Sequence, residues 1–226
     1  MSHTVHPYAH RLVNLRGWKS RWFAKGQKYR DYLKNDILIR EFLETKLRGK
    51  YVASIEFVRD QKSTKIVIAT SRPGFIIGKS GEGIAELTKD VIREMKRRNI
   101  AVAPDFSIDV VEVKNPDSDA MIVAQQIAEG LERRLPFRRV AKQMLDKVTA
   151  QRDVKGAKIT LSGRLGGNDM SRKEEVKRGG IPLQFIRGDV DYATYRANLP
   201  YGVIGIKVWI YKGDSLANDG EKNNER

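Results

Sequence analysis

The chain has 226 residues, a formal net charge of +15 and no cysteine. Its hydrophobic fraction of 40% suits one large or two small globular domains, each with a core of its own. Disulfides, thiolate chemistry and cysteine zinc sites are excluded, and no apolar run approaches the roughly 20 residues of a bilayer span.

The 43 Lys and Arg against 28 Asp and Glu call for a large polyanionic partner rather than a membrane. The basic first 35 residues do not read as a secretory signal, so a cytoplasmic protein is expected. The only histidines are His3, His6 and His10. They lie ahead of the first predicted element with no scaffold to fix a metal, so neither a metal nor a cofactor is expected. A body without Cys or His cannot build the common nucleophile–base pairs, so an enzyme is not expected either.

Residues 1–35 read as a basic arm. It holds eight basic residues, among them Arg11, Arg16, Lys19 and Arg21, against one acid, Asp31, with Tyr8, Trp18, Trp22, Phe23, Tyr29 and Tyr32 interleaved. Cations alternating with rings suit unpaired bases; the plain alternative is that Trp18, Trp22 and Phe23 anchor the arm to a core. A helix is predicted over 36–48, with Asp36 as N-cap and Ile37, Phe42, Leu43 and Leu47 as its apolar stripe. Ala53, Ile55 and Phe57 alternate into a strand, 60–63 make a turn, and Ile66 and Ile68 continue in a second strand.

The most informative stretch comes next: Ser71-Arg72-Pro73-Gly74-Phe75-Ile76-Ile77-Gly78-Lys79-Ser80-Gly81-Glu82. Gly78, Lys79, Ser80 and Gly81 form a bare G-x-x-G turn between helical segments. It is the clamp with which KH domains bring backbone N–H groups against single-stranded RNA. Gly78-Lys79-Ser80 is also half a P-loop, but the first glycine of that motif would fall on Pro73, which has no N–H for a phosphate. A turn that binds nothing is the third reading. Phe75-Ile76-Ile77 reads as a short buried helix. Ile84, Leu87, Val91 and Met95 then share one face of a helix, and Phe106, Ile108 and Val110 alternate into a third strand. Helix, strand, strand, clamp helices, strand is the type II KH order, predicted over 36–114.

Lys114-Asn115-Pro116-Asp117 marks a boundary, and a C-terminal α/β domain is predicted over 115–213. It opens with a helix from about 118 to 135. A second helix from Pro136 buries Val140, Ala141, Met144, Leu145 and Val148 and turns Arg138, Arg139 and Lys142 outward. Seven basic residues against one acid between 133 and 152 favour an RNA-facing stripe over a merely solvated face. Ala157, Ile159 and Leu161 form a strand. Gly163 to Gly167 makes a turn with Arg164 at a basic tip, followed by a flexible polar stretch, 168–180. Asp189 and Asp191 read as hairpin residues, with a metal-binding pair as the alternative, and 203–211 is a final strand. Residues 214–226 read as a polar, disordered tail. The fold class is α+β, with two helices on a mostly antiparallel sheet in the second domain.

Five segments resemble one family: Val5-His6-Pro7; Arg72 to Glu82; Leu131-Glu132-Arg133-Arg134 with Phe137-Arg138-Arg139; Ser162 to Gly167; and Tyr201 to Ile210. In this order they resemble the ribosomal protein S-three family of the bacterial small subunit. The resemblance implies a structural constituent of the small ribosomal subunit head that binds small-subunit ribosomal RNA and lines the messenger RNA entry channel. There the positions of Arg138, Arg139 and Lys142 face incoming messenger RNA and support its unwinding. It also implies RNA contacts at the clamp and at Arg11, Arg16, Lys19, Arg21, Arg72, Arg133, Arg134 and Arg164, and neighbouring head proteins S-ten and S-fourteen as partners. Two segments depart from the family pattern: Tyr8-Ala9 stands where Asn-Gly is common, and 168–180 is richer in Lys and Arg. The competing functions are a P-loop nucleotide hydrolase and a free translational regulator that clamps one messenger.

Overall fold

A computed structural model describes residues 5–12, 14–60, 63–98, 100 and 105–214. In chain order its elements are α1 (Pro7–His10), β1 (Ser20–Arg21), α2 (Gln27–Lys46), β2 (Val52–Arg59), β3 (Ser63–Thr70), α3 (Gly74–Ile77), α4 (Glu82–Arg97), β4 (Asp105–Glu112), α5 (Ala120–Glu132), α6 (Phe137–Thr149), β5 (Gly156–Gly163), β6 (Arg172–Gly179), β7 (Gly188–Leu199) and β8 (Gly202–Asp214). The chain divides into two units. One is Trp18–Lys114; the other combines Met1–Gly17 with Asn115–Arg226.

In the unit Trp18–Lys114 the strands are ordered β1-β2-β3-β4, antiparallel between β2 and β3 and parallel between β3 and β4. Ile55, Phe57, Ile66, Ile68 and Ile108 bury one face of this sheet against Ile39 and Leu43 of α2 and Leu87, Val91 and Met95 of α4. Removing Val91, which is fully buried, would forfeit about 1.5–3 kcal/mol of apolar burial. The predicted stripe on α4 is therefore the buried one, with Ile84 partly covered.

Helix α2 differs from the helix predicted over 36–48. It starts after Gly26, nine residues before Asp36, and Ile37 points to solvent while Ile39 is buried. Asp36 is not an N-cap. It is 1% exposed, and its carboxylate accepts from Trp22 Nε1 at 2.8 Å and from Arg59 Nε at 2.9 Å. A buried carboxylate needs such partners, and both lie outside the local window that a capping rule inspects. Trp22 also packs edge-on against Tyr32 and tilted against Tyr29. Trp22 is thus an anchor, whereas Trp18 and Phe23 are 60% and 81% exposed.

The other unit is a fully antiparallel sheet of order β6-β5-β8-β7. Helices α5 and α6 cover one face, where Ile127, Leu131, Val140, Leu145 and Val148 meet Ile159, Leu161, Ile206, Val208 and Ile210. Asp119 caps α5, accepting from the N–H groups of Met121 and Ile122 at 2.9 and 3.1 Å. Burial, and then the charge of Asp191, push its carboxyl above the usual carboxylate range.

Residues 168–180, predicted as a flexible polar stretch, contain the edge strand β6, paired residue for residue with β5 from Gly156↔Gly179 to Gly163↔Arg172. Its alternation is hidden because both faces carry charge: Val176 is its one residue packed against the core. A charged edge is a common guard against further strand pairing.

The N-terminal segment also differs from a single arm. Residues up to Gly17 belong with the second unit, and Ser20–Arg21 add a parallel strand to β2. Arg11 is fully buried. Its guanidinium donates to the carbonyls of Gly188 (2.5 Å), Pro7 (3.1 Å), Pro182 (3.2 Å), Leu183 (3.2 Å) and Phe185 (2.9 Å). Arg16 pairs with Asp189 at 2.7 Å and approaches Asp191 at 3.8 Å. Asp191 also accepts the Ala120 N–H at 2.9 Å. The Asp189–Asp191 pair thus lies on the β7–β8 hairpin with its carboxylates turned to Arg16 and to the start of α5. The predicted tail from residue 215 onward, His3, and two residues of the predicted 60–63 turn lie outside the described residues.

Candidate nucleic-acid interface

The clamp is built by two helices that nearly touch. Helix α3 stops at Gly78 (φ 71°), residues Lys79–Gly81 make a 3-10 turn, and Gly81 (φ 83°) caps α4. A Cβ on Gly83 would sit 2.5 Å from the Ile76 carbonyl oxygen, and one on Gly78 would sit 2.9 Å from the Gly83 nitrogen. Glycine is needed at both positions for backbone to pass backbone. Gly81 is different: nothing lies within 4 Å of its absent side chain, so that space is open for a ligand's backbone. Ser80 holds φ 55°, an uncommon conformation for a residue with a side chain. Lys79 and Ser80 are exposed at the tip, above the buried Ile76.

The P-loop reading fails on the same geometry. The N–H groups of Ile76 and Ile77 donate to the Pro73 carbonyl at 2.9 Å, and that of Gly78 to Gly74 at 3.0 Å. They close a helical turn and are not turned toward a phosphate. Phe75 corrects the prediction of a buried apolar turn: Ile76 is 2% exposed but Phe75 is 66% exposed. Beside it, Arg72 stands 4.9 Å from the ring centre of Tyr51 and 5.8 Å from that of Phe75. A guanidinium between two rings offers both charge and a flat surface. Sequence reasoning does not reach Tyr51, because only the folded loop brings it to Arg72.

In the second unit α6 turns Arg138, Arg139 and Lys142 outward, opposite Val140, Ala141, Leu145 and Val148, which are buried. Arg139 and Lys142 have no hydrogen-bond or ion-pair partner among the described residues. Arg138 is engaged, donating from Nε and Nη2 to the two oxygens of Glu174 at 3.1 and 3.0 Å. That hydrogen bond holds Glu174 below the usual carboxylate range. Sequence reasoning misses the pair because it does not recognise β6.

The remaining expected contacts divide. Arg11 leaves the set, since a fully buried guanidinium cannot meet RNA. Arg16 is committed to Asp189 and Asp191. Arg164 ties its own loop, donating to the carbonyls of Asn168 (3.0 Å) and Tyr201 (3.1 Å) and to Asp169 (2.6 Å). Arg21 lies 3.5 Å from Glu56, and Arg133 pairs with Glu129 on α5. Lys19, Arg21, Arg72, Arg133 and Arg134 are exposed. Among the described residues no group of three or more His, Asp or Glu is placed to hold a metal, and no helix is long and apolar enough to cross a membrane.

Comparison with known proteins agrees with both halves of this description. Residues 38–118 match the KH domain family model, and residues 127–210 match "Ribosomal protein S3, C-terminal domain". The chain is 40% identical over 216 residues to "Small ribosomal subunit protein uS3" of Clostridium novyi (strain NT), covering 96% of this chain and 95% of that one. This chain belongs to the uS3 family. The protein of the same name from Ectopseudomonas mendocina (strain ymp) is 40% identical over 222 residues, covering 98% of this chain and 94% of its own length. The α+β fold, with a type II KH unit ahead of the antiparallel sheet, is therefore the uS3 arrangement.

Proposed function

We propose that this uS3 family member is a structural, non-enzymatic constituent of the small ribosomal subunit head in the cytoplasm. It binds small-subunit ribosomal RNA and lines the messenger RNA entry channel, beside the head proteins S-ten and S-fourteen. The observation that carries this reading is near-full-length similarity to proteins named small ribosomal subunit protein uS3. Lys79, Ser80 and the glycines around them form the clamp for an RNA backbone. Arg139 and Lys142 meet the phosphates of messenger strands as they are drawn apart, and Arg138 can exchange Glu174 for a phosphate, since solvent screens an exposed ion pair and leaves it weak.

Converting Arg138, Arg139 and Lys142 to Ala tests the entry-channel role. All three are exposed, and such changes usually alter stability by no more than about 0.5 kcal/mol; Ala keeps the helix. Small subunits reconstituted with the triple variant should assemble normally and elongate at the parent rate on an unstructured message. They should slow on a message with a stable hairpin. Equal rates on both messages would remove the three residues from the site.

A further inference from the structure

The face of the β6-β5-β8-β7 sheet opposite its helices carries a cavity of about 450 Å³. Lys158, Lys173, Lys177, Lys207, Thr160 and Trp209 line it. The strand register explains why. Lys158 of β5 lies directly opposite Lys177 of β6 on one side and Trp209 of β8 on the other; Thr160 lies opposite Glu175 and Lys207; Ser162 lies opposite Lys173. Residues two apart on a strand share a face, so the charge-rich 168–180 segment delivers its alternate lysines to this one surface. The single acid among these neighbours, Glu175, is taken by Lys158 at 2.9 Å, with Lys173 at 3.8 Å. Lys207 has no ion-pair partner among the described residues.

Two features of this face are unfavourable in themselves. Like charges set directly across a strand pair repel, and Lys158 faces Lys177. The Thr160 hydroxyl is buried, in a residue 2% exposed, and has no hydrogen-bond partner. A buried hydroxyl without a partner is a cost that native structures seldom leave unexplained. One group answers both: a compact anion with several acceptor oxygens, which accepts a hydrogen bond from the hydroxyl and neutralises the converging lysines. Trp209 already has Tyr192 against its ring at 5.1 Å and the Lys158 ammonium 5.5 Å from its centre. It therefore serves as a wall that positions Lys158, not as a platform for a base.

We infer that this open sheet face is a phosphate-binding pocket, separate from the clamp and from the α6 stripe, that takes a phosphodiester of an RNA backbone. The choice of RNA rests on the proposed ribosomal function and on the +15 charge of the chain.

The test uses the full chain labelled with 5-fluorotryptophan and a labelled single-stranded oligoribonucleotide. Thr160→Val is isosteric and removes an unpaired hydroxyl, so the variant should fold at least as well as the parent; it should bind RNA several-fold more weakly. Lys177→Gln with Lys207→Gln should lower the log–log salt slope by about 0.7 for each phosphate that the variant no longer neutralises. The Trp209 fluorine resonance should move on titration with RNA, and with inorganic phosphate only at far higher concentration. If the parent binds no RNA, the ribosomal reading itself fails. If the parent binds RNA but both variants match it, the pocket alone is overturned. A weakened lysine variant beside an unchanged Thr160→Val would mean diffuse attraction and no pocket. Movement of the Trp209 resonance with phosphate but not RNA would assign the site to a free anion. An equal response to an acidic peptide would assign it to a protein partner. Either of these last two overturns the RNA assignment.

Discussion

Replacing Arg11 with Ala is expected to cost about 3 kcal/mol of stability in the unit that contains the antiparallel sheet and to release residues 5–17 from it. The guanidinium is the shared donor for five carbonyls, four of them in the 182–188 segment. Ala cannot donate, so the carbonyls of Pro7, Pro182, Leu183 and Gly188 lose this donor at a buried site, while that of Phe185 keeps only the Gly188 N–H at 3.3 Å; leaving buried acceptors unsatisfied costs about 1–3 kcal/mol each. Arg11→Lys should recover only part of that stability, because an ammonium is a point donor and cannot span carbonyls on several sides. Urea unfolding and protease sensitivity ahead of Gly17 read the two effects. A variant with the parent's midpoint and protection would show that Arg11 is dispensable and that other contacts dock the segment.

The second large effect belongs to the clamp. Replacing both Lys79 and Ser80 with Asp should weaken binding of single-stranded RNA by about 10- to 100-fold, since a charged hydrogen bond contributes about 1.5–3 kcal/mol and two carboxylates would face the phosphates. The fold should survive. Both residues are exposed, and Asp tolerates the positive φ of position 80 better than most side chains do. Gly83→Ala supplies the contrast: it adds no charge, but its Cβ meets the Ile76 carbonyl at 2.5 Å, so stability and RNA binding should fall together. Fluorescence anisotropy with an oligoribonucleotide, beside thermal melts, separates these outcomes. An aspartate double variant that binds as tightly as the parent, or that unfolds, removes the clamp from the RNA interface.

The sequence shows most where a signal is local. The glycines of the clamp, the α4 stripe and the two sides of α6 follow from spacing, because helical period and φ preference act within a few residues. It shows least where a charge is spent on a distant partner. Arg11 sits among other cations in the arm, and nothing nearby in sequence reveals that four of its five partners lie more than 170 residues away. Asp36 has the look of a cap, but its partners are an indole and a guanidinium from the segments on either side of its helix. Strand β6 escapes sequence reading because a strand charged on both faces lacks the apolar alternation that reveals strands. With it go the Arg138–Glu174 pair and the lysine-lined face.

The central claim is that this protein works as part of the small ribosomal subunit, and gradient sedimentation of lysate from cells that make it tests that claim most directly. In high salt the protein should stay with the small subunit, because many simultaneous RNA and protein contacts outlast the screening that strips a lone basic protein from RNA. Protein found at the top of the gradient under those conditions, with subunits intact, would contradict the account and favour a free RNA-binding regulator.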